Sequence, residues 1–80
     1  MQQGELIITG KGEVFIPLNA FPSEVRAYFV GEPELVPCDP HELDTIEYEV
    51  HSSNHCHGGF VLRIKYKVHS ERKVVWKAEY

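Results

Sequence analysis

The sequence lacks long apolar runs: stretches such as Leu6-Ile7-Ile8 stop at four residues or fewer. A membrane-spanning helix needs about 20 consecutive apolar residues, so membrane insertion is not expected. Positive charge is also scarce, with 8 Lys and Arg against 12 Asp and Glu and a net charge of -4. Nucleic-acid binders gain most of their affinity by neutralising phosphates, so no nucleic-acid partner is expected. The opening Met1-Gln2-Gln3-Gly4-Glu5 has neither the basic residues nor the apolar core of a signal peptide. The expectation is therefore synthesis in the cytosol with reduced thiols. Repeats, low-complexity tracts and a convincing helical period are all missing.

What is present is alternation. Apolar residues recur with a period of two, the signature of strands with one buried face. Leu6 and Ile8 mark a first strand, followed by a Gly10-Lys11-Gly12 turn. Val14-Phe15-Ile16 mark a second strand, expected to stop at Pro17. Val25, Ala27 and Phe29 mark a third, alternating with Arg26 and Tyr28. Pro33, Pro37 and Pro40 make the stretch from Gly31 to Asp44 a loop, because proline removes a ladder donor. Ile46, Tyr48 and Val50 form the fourth strand and Phe60 to Val68 the fifth. His69-Ser70-Glu71-Arg72 is read as a turn into a last strand through Val74, Trp76, Ala78 and Tyr80. Six strands without a helix predict an all-β fold, a β-sandwich or small barrel, read here as a single small antiparallel β-sandwich spanning residues 1–80.

Two expectations follow from the faces. Glu47 and Glu49 should lie beside Arg63, Lys65 and Lys67 if the loop from Ser52 to Gly59 closes an antiparallel hairpin. Trp76, in phase with Val74 and Ala78, should be core, whereas Tyr28 points away from Phe29 and is a candidate for an exposed contact.

The chemically richest segment is Ser52-Ser53-Asn54-His55-Cys56-His57-Gly58-Gly59. Zinc sites draw ligand pairs from two segments, and here one cluster stands alone. No cofactor is therefore expected. The alternative is a transition metal at His55, Cys56 and His57, with the two histidines of three subunits converging on a threefold axis. Cys38 and Cys56 flank the fourth strand, whose ends lie about 20 Å apart. A disulfide needs Cα atoms within about 7 Å, so two free thiols are expected. A Cys56 nucleophile would need a base and an orienting carboxylate. Cys56 and His57 are adjacent and point apart, and no such carboxylate is evident, so the chain does not read as an enzyme.

One resemblance adds to this reading. Gly12-Glu13-Val14-Phe15-Ile16-Pro17, then Phe21-Pro22-Ser23-Glu24-Val25-Arg26-Ala27, resembles the opening of the small sandwich domains of phage tail fibres, which look like H-type lectin domains. Gly59-Phe60-Val61-Leu62 and Val74-Val75-Trp76-Lys77-Ala78 resemble their closing strands. The likeness covers about half the chain. It departs from the pattern at Glu79-Tyr80 and throughout the stretch from Gly31 to Gly59. The resemblance implies a virion protein assembled in the host cytoplasm, homotrimeric, that binds other virion proteins or a glycan. Loop positions Glu34, His41, Asn54, His55 and His57, together with Tyr28, are the binding candidates.

Overall fold

A computed structural model describes residues 1–31, 43–55 and 57–80. Six strands run in chain order: β1 (Gln2–Ile8), β2 (Lys11–Leu18), β3 (Glu24–Val30), β4 (Thr45–Ser52), β5 (Phe60–Lys67) and β6 (Arg72–Glu79). They form two antiparallel three-stranded sheets, ordered β1-β6-β3 and β2-β5-β4. Only β4 and β5 are joined within one sheet; every other connection crosses between the two. The architecture is the small β-sandwich that the alternation predicts, and among the described residues there is no helix.

The core comes from the inward members of each alternating run. Leu18, Leu62, Ile64 and Val74 are fully buried, and Ile8, Ala27, Val68, Trp76 and Ala78 join them in one cluster. Trp76 sits at the centre of its sheet, paired with Gly4 on one side and Ala27 on the other. The small neighbours make room for the large ring. A Cβ on Gly4 would lie 2.8 Å from the indole Nε1, too close to coexist with it. Tyr66 repeats the arrangement on the facing sheet, with its hydroxyl 2.8 Å from where a Cβ on Gly12 would stand. In both cases a ring from a central strand covers a glycine on an edge strand.

Two features depart from the alternation-based expectations. Pro17 does not stop β2, which continues through it to Leu18. β2 is an edge strand, where a residue without an amide hydrogen can face away from the ladder. The Pro17 carbonyl is still used, accepting a 2.8 Å hydrogen bond from Gln2 Nε2. Arg72 is not a turn residue. It opens β6 on the inward face and is 7% exposed.

Arg72 closes one end of the sandwich. It donates to Asp44 Oδ2 at 2.5 Å and to the Gly31 carbonyl at 3.2 Å. Its guanidinium carbon lies 4.3 Å from the centroid of the Phe29 ring. Asp44 Oδ1 accepts the His69 amide at 3.0 Å. One guanidinium thus ties together the end of β3, the approach to β4 and the β5–β6 turn. The other end is latched by the chain's first and last strands. The Asn19 amide donates to Gln2 Oε1 at 3.2 Å and to the Tyr80 hydroxyl at 3.0 Å. The Tyr80 hydroxyl in turn donates to Gln2 Oε1.

Candidate functional site

Strands set which side chains face solvent, and cross-strand register sets which of them meet. On the outer face of the β1-β6-β3 sheet the rows read Gln3–Lys77–Arg26, then Glu5–Val75–Tyr28, then Ile7–Lys73–Val30. Tyr28 lies mid-strand on β3 and is 42% exposed, opposite in phase to the half-buried Phe29. This is the outward placement its alternation predicts.

The Tyr28 ring borders two shallow concavities. One, of about 430 Å³, is lined by Glu24, Arg26, Tyr28, Lys77 and Glu79. The other, of about 300 Å³, is lined by Gln3, Gly4, Glu5, Tyr28, Val75 and Lys77. An aromatic face with hydrogen-bonding groups on both sides can stack on a ligand and satisfy its polar rim. Some of these groups are already fixed. Arg26 lies 2.6 Å from Glu24, whose hydrogen bond raises the guanidinium pKa above its ordinary value. Lys73 lies 3.3 Å from Glu5. Sequence reasoning located Tyr28 but not its neighbours, because Gln3, Lys77 and Glu79 reach it only through the non-sequential order β1-β6-β3.

The opposite sheet carries an ion-pair network. Glu49 and Glu47 face Arg63 and Lys65 across the β4–β5 hairpin, as the charge pattern predicts. Arg63 bridges Glu13 at 2.6 Å and Glu49 at 3.1 Å, and Glu49 also meets His51 Nε2 at 2.7 Å. The hydrogen bond from Arg63 holds Glu13 below its ordinary pKa. That from His51, followed by the charges of His51 and Arg63, does the same for Glu49. Both carboxylates are solvent-exposed, so the network sets register more than stability. Its contribution is present above the ordinary carboxylate pKa and fades as pH falls through the lowered values. A concavity of about 160 Å³ lies over these residues. Arg63, Glu13, Glu49 and His51 are held in ion pairs there, while Glu47 and Lys65 face one another in register.

The loop after β4 is shaped by its glycines. The Ser53 amide donates to the Gly59 carbonyl at 2.9 Å, and Gly59 takes φ 75°. Gly58 packs against the backbone after β2: a Cβ there would lie 1.9 Å from the Leu18 carbonyl oxygen. Gly58→Ala is expected to destabilise the fold by about 1–3 kcal/mol through this overlap, read as a lower urea midpoint. An unchanged midpoint would show that the loop does not rest on β2. Asn54, His55 and His57 are exposed and lie in turns, not on a strand. The alternation that would aim the two histidines the same way therefore does not apply to them. Among the described residues no group of three or more His, Cys, Asp or Glu could hold a metal ion. Glu34, Cys38, His41 and Cys56 lie outside the described residues, as does most of the loop from Gly31 to Asp44, so the free-thiol expectation lies there too.

No protein-family model matches this chain, and no curated protein or solved structure matches it either.

Proposed function

We propose that the chain is a non-enzymatic adhesion module that engages a glycan through the outer face of the β1-β6-β3 sheet. The observation that carries this reading is the exposed Tyr28 ring with a polar-lined concavity on each side. A pyranose presents an apolar CH face and a rim of hydroxyls. The CH face suits the ring, and the hydroxyls suit Gln3, Glu24, Lys77 and Glu79. The surface is shallow and solvent-facing, which fits multivalent recognition by a weakly binding subunit better than enclosure of a reacting substrate. Assembly as a symmetric trimer in a phage particle is part of the same proposal. It is supported by the tail-fibre resemblance of the strand-forming segments and by the small core of an 80-residue sandwich, to which subunit burial would add stability.

A glycan array probed with the labelled chain tests this reading. The expected result is a selective set of bound saccharides, with Tyr28→Ala weakening them at least tenfold, or about 1.4 kcal/mol. Tyr28 is exposed, so the variant should keep its fold within about 0.5 kcal/mol. A folded wild-type chain that binds no glycan would overturn the proposal.

A further inference from the structure

The outer face of the β2-β5-β4 sheet changes character along its length. Its middle rows, Glu13–Lys65–Glu47 and Phe15–Arg63–Glu49, place opposite charges side by side. The row at the β2 start is different: Lys11 pairs directly with Lys67, and Thr45 flanks Lys67 on its other side. All three side chains are exposed. Among the described residues, no carboxylate lies within ion-pair distance of Lys11 or Lys67. Like charges directly opposite one another destabilise a sheet. Here they occur together in a chain of net charge -4.

The pair also has a place for a ligand beside it. A concavity of about 170 Å³ is lined by Lys11, Thr45, Glu47, Lys65, Tyr66 and Lys67. Lys65 has Glu13 and Glu47 as its cross-strand neighbours on either side, whereas the cross-strand neighbours of Lys67 are Lys11 and Thr45. Among the described residues, Lys11 and Lys67 form a row that carries no carboxylate, and the Thr45 hydroxyl adds a neutral donor.

We propose that Lys11, Lys67 and Thr45 form a binding site for a single phosphate or sulfate group. Two ammonium groups and a hydroxyl converging from three adjacent strands match the charge and the several acceptor oxygens of such an anion. Glu47, at the edge of the concavity, repels a second anionic group and accepts hydroxyl donors. The site therefore suits a monoester, such as a phosphorylated or sulfated saccharide, better than a densely charged polyanion. It lies on the sheet opposite Tyr28, so it stands or falls independently of the Tyr28 surface.

The test is an amide chemical-shift titration of the full chain with inorganic phosphate, glucose 6-phosphate and glucose, with chloride at matched ionic strength as the blank. The expected result is saturable shifts at Lys11, Thr45 and Lys67, with half-saturation on the order of 1–10 mM. Glucose and chloride should leave these amides unmoved. Tighter binding of glucose 6-phosphate than of inorganic phosphate would identify the ester as the ligand; equal binding would identify the free anion. Lys67→Gln should weaken binding at least fivefold, whereas Lys73→Gln, on the other sheet, should not. In low salt without phosphate, Lys67→Gln should also raise the melting temperature by about 1–3 °C, because it removes a like-charge pair. Shifts that fail to saturate, that spread equally over every lysine, or that persist unchanged in Lys67→Gln would overturn the proposal.

Discussion

Asp44→Ala is expected to lower the unfolding free energy by about 3–5 kcal/mol, because it leaves a buried guanidinium without its counter-charge. The Arg72 and Asp44 side chains are 7% and 9% exposed, so water cannot replace the lost carboxylate without opening the end of the sandwich. The loss also frees the His69 amide, which Asp44 Oδ1 accepts. A chain of this length has a total stability of roughly 4–12 kcal/mol, so the variant should lose a large fraction of it. Urea denaturation should show the midpoint falling at an unchanged slope. The companion Asp44→Ala/Arg72→Met should recover part of the loss, since an apolar replacement carries no charge to desolvate. A cost below 1 kcal/mol for the single variant would mean that solvent reaches the Arg72 guanidinium.

Trp76→Ala should be comparably severe, about 3–5 kcal/mol. The ring fills the space left by Gly4 and Ala27, its two cross-strand neighbours. Neither can expand into the vacancy, because both are already the small members of the row. The cavity therefore stays open and its lining loses contacts outright. As the chain's single tryptophan, Trp76 also reports on its own burial, so wild-type unfolding should red-shift the fluorescence. Trp76→Ala must be followed by circular dichroism. A cost near that of an exposed substitution would show that the two sheets do not close over the ring.

These two residues also mark where sequence reasoning stops. Trp76 was legible as core because it keeps phase with Val74 and Ala78, and burial follows phase in a two-layer fold. Its fit against Gly4 was not, since that needs the register between β1 and β6, strands separated by most of the chain. Arg72 looks like a turn residue in the sequence because a charged group beside Ser70 and Glu71 resembles solvent-facing punctuation. Its burial depends on Asp44, 28 positions away, and no local pattern reveals such a partner. Pro17 looks like a strand end in the sequence because proline breaks ladders; the edge position of β2 makes it tolerable. The hairpin charges were legible because Glu47, Glu49, Arg63 and Lys65 are close in sequence and alternate in phase. Tyr28 was found by the same logic, but the polar groups around it come from strands whose spatial order differs from chain order. The histidines of the β4–β5 loop stand out by composition and by His-x-His spacing; the structure places His55 and His57 in exposed turns, not on a strand.

The most direct test of the account is amide chemical-shift mapping with the strongest-binding glycan from the array. The account predicts perturbations confined to Gln3, Glu5, Glu24, Arg26, Tyr28 and Lys77, abolished in Tyr28→Ala and unaltered in His55→Ala/His57→Ala. Perturbations centred on Asn54, His55 and His57 and indifferent to Tyr28 would contradict it, and would place recognition in the β4–β5 loop instead.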